Sequence, residues 1–221
     1  MPDEINVNHY KFWRARHVVR LTVGGATWET EIGSIEYLGN PTTKRRDVTE
    51  QEEPIVKGGL HLVAYRIRPH EPPRASFTLG NQFGASFEWQ LGPAELLLVP
   101  AAKEFAPASP DGAPPRETHY VCYRAGGPIV TEPVTLRDQF DEDRNTRERI
   151  QRLEPKYLGL PARKNDEEIG DETSILAIYD IAPRERPEPG FNVRTLDQFG
   201  MRDMAATESW MLAVPSWRVD G

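Results

Sequence analysis

The sequence predicts an all-β protein: four tandem antiparallel β units of about 55 residues, packed as a pseudo-symmetric barrel or sandwich, with a four-bladed propeller as the alternative. Three observations predict it. Three short motifs recur in one order, the opening and closing ones four times and the middle one three times. The stretches between them alternate apolar and polar residues at the period of a strand. Proline and charge gather at the joints between units. The units span 9–44, 61–103, 119–164 and 175–218, within one domain over 1–221.

Each unit opens alike. The openings are His9-Tyr10-Lys11-Phe12-Trp13-Arg14, His61-Leu62-Val63-Ala64-Tyr65-Arg66, His119-Tyr120-Val121-Cys122-Tyr123-Arg124 and Ile175-Leu176-Ala177-Ile178-Tyr179-Asp180. Rich in aromatic and β-branched residues, they suit strands. The middle element is Asn81-Gln82-Phe83-Gly84, Asp138-Gln139-Phe140-Asp141 and Asp197-Gln198-Phe199-Gly200. In the first unit Gly24-Gly25 stands where Gln-Phe is expected, and degenerate end copies are usual in repeat arrays. The closing element is an apolar stretch ending in Pro, with a base three residues on. It reads Leu38-Gly39-Asn40-Pro41 with Lys44, Leu97-Leu98-Val99-Pro100 with Lys103, Leu158-Gly159-Leu160-Pro161 with Lys164, and Leu212-Ala213-Val214-Pro215 with Arg218.

Between these elements the period is two. Phe87, Trp89 and Leu91 alternate with Ser86, Glu88 and Gln90, and Trp28, Thr30 and Ile32 with Glu29 and Glu31. Short runs at Leu21 to Val23, Phe77 to Leu79 and Val134 to Leu136 complete about four strands per unit. Arg45 to Glu53, Phe105 to Arg116 and Asn165 to Thr173 read as connecting loops, and Pro183 to Pro189 as a lengthened hairpin. Charged Asp143 to Leu153 is expected to form a long twisted hairpin rather than a helical turn, because its counterparts look like strands.

Composition narrows the function. The 221 residues carry 34 acids against 27 bases, a formal charge of −7, and one Cys. No disulfide framework can form within the chain. The acidic balance argues against a nucleic-acid binder, whose affinity for phosphates rests on clustered Lys and Arg. No apolar run approaches the roughly 20 residues of a membrane span. Met1-Pro2-Asp3-Glu4-Ile5-Asn6 lacks the features of a secretory signal, and folded structure is expected from about residue 9. A single Cys fits the cytoplasm or another reducing compartment. The alternative is a secreted protein whose signal peptide is missing from this sequence.

The ordered motifs resemble an uncharacterised bacterial tandem-repeat domain family. Its repeats read His-Phe-Lys-Cys-Tyr-Lys, then Asp-Gln-Phe, then Leu-Cys-Asn-Pro-x-x-Lys, and the likeness covers all four units. Members are typically secreted, carry two cysteines per repeat and have no established activity. The resemblance therefore implies an architecture and no reaction. The chain departs from it at the cysteines. The first family Cys falls on Phe12, Ala64, Cys122 and Ile178, and the second on Gly39, Leu98, Gly159 and Ala213. Each pair joins a small residue to a large one, as expected if the two touch and conserve volume in place of a disulfide. Contact would bring the first and last strands of a unit together, which favours a barrel or sandwich over propeller blades.

Candidate chemistry is sparse. His9, His61 and His119 occupy equivalent positions and form a candidate metal set, since zinc takes three or four ligands. Ile175 stands in the fourth place, and a strand-start His bonding backbone is the competing reading. Asn81, Gln82, Asp138, Gln139, Asp197 and Gln198 are candidate ligand-binding residues for a glycan, with Phe83, Phe140 and Phe199 as stacking surface. The competing reading has Asn or Asp accepting N–H bonds in a turn, Gln tying loop backbone and Phe filling the core. His17 and His70 read as exposed turn residues. The acid pairs Glu29/Glu31, Glu52/Glu53, Asp141/Glu142 and Glu167/Glu168 read as solvated, and Cys122 as packed. No cofactor is implied. The reading is a non-enzymatic structural or binding protein, a repeat scaffold for a protein partner, for self-association or for a glycan. A hydrolase or metal-dependent enzyme with a site between repeats is the alternative.

Overall fold

A computed structural model describes residues 18–55, 57–165, 167–168, 170–181 and 190–219. The opening at 9–14, His17 and the stretch Pro183 to Pro189 lie outside the described residues. In chain order the elements are β1 Val18–Val23, β2 Ala26–Gly39, β3 Thr42–Arg46, β4 Glu52–Glu53, β5 His61–His70, β6 Ser76–Asn81, β7 Gly84–Phe105, β8 His119–Gly126 and β9 Val134–Asp138. There follow α1 Gln139–Arg144, β10 Glu148–Ile150, β11 Leu153–Lys164, β12 Ile175–Ile181, β13 Phe191–Asp197, β14 Gly200–Ala206 and β15 Met211–Arg218. Among the described residues no helix is long and apolar enough to cross a membrane.

The fold is all-β, as the alternating patterns require. Opening and closing motifs alternate across one antiparallel sheet in the order β2–β5–β7–β8–β11–β12–β15. Each of the three described opening strands, β5, β8 and β12, thus pairs with the closing strand of its own unit and with that of the unit before. β1 joins β2 to β11, and β6 joins β7 to β15, so the sheet closes into two rings that share β7, β8 and β11. This is barrel-like closure rather than a set of independent blades.

The rings close by a rule the sequence did not show. The strand before each middle element pairs with the end of the closing strand two units away. β1 pairs with β11, β6 with β15, β13 with β7 and β9 with β3.

Two expectations are corrected. Arg45 to Glu53 is not simply a loop. β3 runs to Arg46 and pairs with β4 and β9, and β10 adds to β9 in a second, four-stranded sheet. Its charged residues pair with acids: Lys44 with Glu53 at 3.0 Å and Arg46 with Glu132 at 2.6 Å. The long hairpin expected over Asp143 to Leu153 is a helix end, a three-residue strand and the start of β11.

The main core lies on the inner face of the sheet. Trp89, Tyr123, Tyr179, Phe77, Leu79, Leu97 and Leu158 are fully buried there. Each buried Leu or Phe contributes about 1.5–3 kcal/mol. Phe87 and Leu91 pack against this core on either side of Trp89, as the alternation predicted. A smaller cluster occupies the opposite face: Ala64, Leu96, Leu98, Tyr120, Cys122, Tyr157 and Ile178. The family's cysteine positions lie here, and three pairs are directly opposed across neighbouring strands: Ala64 with Leu98, Cys122 with Gly159, Ile178 with Ala213. A Cβ on Gly159 would sit 3.5 Å from the Cys122 sulfur. Phe12, the partner of Gly39, lies outside the described residues.

Candidate functional site

The repeated polar residues sit at three tight turns. Asn81 ends β6 opposite Gly84, with Gln82 and Phe83 at the tip. Its Oδ1 accepts from the Phe83 N–H at 2.9 Å. Asp197 ends β13 opposite Gly200 and accepts from the Phe199 N–H at 2.7 Å. Both are side-chain-closed turns of the kind Asn and Asp favour. The following glycines make the hairpins feasible. Gly200 has φ 110°, and a Cβ on Gly84 would overlap the Phe87 ring.

The third turn has Asp141 in place of glycine, and the chain goes a different way. Asp138 accepts from the N–H groups of Phe140 at 2.8 Å and Asp141 at 3.0 Å, while the Asp141 carboxylate accepts from the Asp138 N–H at 3.2 Å. This reciprocal capping box starts α1. The helix ends after one and a half turns at Asn145, in the left-handed region with φ 53°.

Each turn reaches across the molecule. The Asp197 carboxylate accepts from the Tyr65 hydroxyl at 2.5 Å, and the Asn81 amide donates to the Tyr179 hydroxyl at 3.2 Å. The second and fourth units are thus tied reciprocally. Asp138 accepts from the Asn40 amide at 3.0 Å, tying the third unit to the first. The phenylalanines pack edge-on: Phe199 against Tyr65 and Phe83 against Tyr179, with centroids 5.1 and 6.2 Å apart. Phe140 stacks on Phe191 at 4.4 Å and lies 5.8 Å from Phe105.

The closing lysines complete the arrangement, each over the phenylalanine of the next unit. Lys44 lies 5.0 Å from the Phe83 centroid, Lys103 4.3 Å from Phe140 and Lys164 5.7 Å from Phe199. All three are buried, at 4, 6 and 3% exposure, so their cation–π contacts act with little competition from water. Lys44 and Lys164 keep acid partners, Glu53 and Glu167, each at 3.0 Å. Lys103 instead donates to the Gln139 side-chain oxygen at 2.6 Å. Burial pushes its pKa down to about 8, against the pull of the Asp138 charge. Burial also lowers Lys44, partly offset by its hydrogen bond to Glu53.

His61 and His119 are buried at separate junctions. His61 Nδ1 lies 3.2 Å from the Asn40 side-chain oxygen, and His119 Nε2 meets the Gln198 amide. Burial pushes both imidazoles down to about 4. Lys103 adds to the effect at His61, while at His119 Glu167 opposes it and Lys164 adds to it. Both are neutral rings in hydrogen-bonded ties. His9, the third member of the candidate metal set, lies outside the described residues. Among the described residues no group of three or more His, Cys, Asp or Glu side chains could hold a metal ion.

The other candidates have ordinary partners. Gln82 is half-buried at its turn. Glu31 pairs with Arg68 at 2.8 Å, and Asp141 is buried in the α1 cap. His70 is not an exposed turn residue. It ends β5, half-buried, with its ring stacked on Trp28 at 4.1 Å. Cys122 is fully buried, and burial raises its thiol pKa out of the reactive range. A groove of about 530 Å³ runs beside β13 and β14, lined by Pro107, Asn192, Arg194, Asp203 and Met204 among others, and holds none of the repeated His, Asx or Gln residues.

The sequence offers the repeated Lys positions, with the aromatics, as surface for assembly, and this is corrected: Lys44, Lys103 and Lys164 are buried. Their signal was available: a base at fixed spacing after each closing Pro, recurring with a Phe in the next unit.

No curated protein and no solved structure matches the chain. A family described as a repeat of unknown function (DUF7450) matches residues 61–215, over which the opening, middle and closing motifs recur, and the chain belongs to that family.

Proposed function

We propose that this chain is a single all-β domain of four repeats, acting as a non-enzymatic scaffold for protein assembly through contacts with its own copies. One observation carries the reading. The His, Lys, Asx, Gln and Phe residues that recur are spent on joining repeats at separate junctions, rather than grouped around one open cavity. Their repetition then reflects a need shared by every repeat, and it supports a structural role for Asn81, Asp138, Gln139, Asp197 and Gln198 over glycan contact. Exposed β14 supports self-association: among the described residues its only ladder partner is β13, which leaves an edge for another strand. The buried free thiol supports a reducing compartment.

Light scattering across a concentration series tests the proposal, together with a glycan array and a divalent-metal titration on the same protein. The expected result is a mass that rises with concentration and no saturable binding in either screen. A monomer at every concentration, or stoichiometric binding of a metal or glycan, would overturn it.

A further inference from the structure

Register defines an Asx position in each unit, independently of residue type. Within its own hairpin this residue lies opposite the one after the tip: Asn81 opposite Gly84, Asp197 opposite Gly200. In the β1–β2 hairpin that place belongs to Val23, opposite Ala26. The ladders between units give the same answer. Leu196 faces Ala102, which sets Asp197 beside Ala101, the residue after Pro100. Gly80 faces Trp217, which sets Asn81 beside Ser216, the residue after Pro215. Asp138 faces Thr42, the residue after Pro41. Thr22 faces Arg163, which sets Val23 beside Ala162, the residue after Pro161.

The tyrosine served by this position lies two units away: Tyr179 for Asn81, Tyr65 for Asp197. For Val23 the corresponding residue is Tyr123. Tyr123 is fully buried in the same core as Val23, and its hydroxyl has no hydrogen-bond partner among the described residues. Among the described residues the ring contact is missing as well. Where Phe83 and Phe199 pack against Tyr179 and Tyr65, the first hairpin has Gly25, and both tip glycines have positive φ, 54° at Gly24 and 87° at Gly25. A buried hydroxyl without a partner is a net cost to the folded state.

We infer that Val23 stands where the acceptor for Tyr123 belongs, and that this makes the β1–β2 hairpin the gate of the barrel, the junction that opens first. The device is conformational. The ladders do not separate the junctions, since β1 meets β11 and β6 meets β15 over two residues each. The second and fourth units add two Tyr–Asx bonds, whereas at β1 the Tyr123 hydroxyl has no partner among the described residues and Asn165 bonds the Arg20 backbone at 2.8 and 2.9 Å. Opening there would free one edge of β11 without disturbing the junctions at β6 or β13.

Hydrogen exchange on the intact chain tests it, comparing peptides over 18–27, 76–87 and 191–204. The β1–β2 peptide is expected to exchange about tenfold faster than the other two, in keeping with local opening below the global free energy. Val23→Asn is expected to slow that exchange and to raise Tm by about 2–4 °C, as one added buried hydrogen bond should in a chain of this size. The gain should vanish when Tyr123→Phe is added. Tyr123→Phe alone should leave Tm unchanged or higher, whereas Tyr65→Phe and Tyr179→Phe lower it; this comparison stands even where Val23→Asn does not fold. Equal protection of the three hairpins, or equal losses from the three Tyr→Phe changes, would overturn the inference.

Discussion

The two faces of the central sheet hold the molecule together in different ways. On the inner face Tyr65 reaches Asp197 and Tyr179 reaches Asn81, so the bonds run between units two apart. On the outer face Ala64 meets Leu98, Cys122 meets Gly159 and Ile178 meets Ala213, so the contacts join the two ends of one unit. The inner contacts are directional hydrogen bonds between buried groups, and directional bonds fix residue type. The outer contacts ask only that a pair fill its space, and volume can be divided many ways. This is why the inner motif reads almost identically in three units, while no two outer pairs have the same composition.

Acid is expected to weaken the inner face first. His61 and His119 are held neutral with pKa pushed down to about 4, against 6.5 in an unfolded chain. Between those values the unfolded state binds more protons, so stability falls as pH falls. The expected loss from pH 7 to pH 5 is about 2 kcal/mol for each imidazole, about 4 kcal/mol together. Urea melts across that range check it, with His61→Asn and His119→Asn each flattening the slope. A flat profile in the unaltered protein would mean that the inner face does not bury these rings.

The outer face should accept a covalent bond where it now has contact. Gly159→Cys is expected to form a disulfide with Cys122 under mild oxidation. Closing that loop is worth about 4 kcal/mol in the chain-entropy picture. About 2 kcal/mol is the expected gain, because the new Cβ would lie 3.3 Å from the Leu176 Cβ, which must give way. Thiol titration and melts with and without reductant decide it, and two free thiols in the folded protein would contradict the pairing. The smallest effect sharpens the comparison most. Exchanging the partners, Ala64→Leu with Leu98→Ala, should cost under about 1.5 kcal/mol, against about 2–3 kcal/mol for Leu98→Ala alone. If the exchange costs as much as the single change, position matters on the outer face as it does on the inner.

Legibility in the sequence followed the same division. Opening and closing strands were readable because they recur, and the small-with-large pairs pointed to their adjacency. The crossing between units two apart was not readable. Likeness between Asn81 and Asp197 says nothing about which tyrosine each will face, and β6 meets β15 only through the closed sheet. The second sheet was hidden by its charge, since Arg45 and Arg46 look like a loop until Glu52 lies opposite the one and Glu132 pairs with the other. Helix α1 turned on one substitution: Asp141 stands where the other turns have glycine, and it serves as a cap rather than as part of a hairpin. In the candidate site the Asx and Gln residues were legible by type. The burial of Asn81 and Asp197, and that of Lys44, Lys103 and Lys164, was not, because a lysine's exposure depends on which ring lies beneath it.

The pairing of units two apart has a consequence for how the chain comes to be folded. In a solenoid each repeat touches only its neighbours, so structure can nucleate anywhere and spread. Here the ladder of β3 waits for β9, and that of β7 beyond Ala101 waits for β13. A nascent chain therefore carries its first half unfinished until the second has been made. Such long-range closure slows folding, and during synthesis the early strands are exposed to whatever else would pair with them.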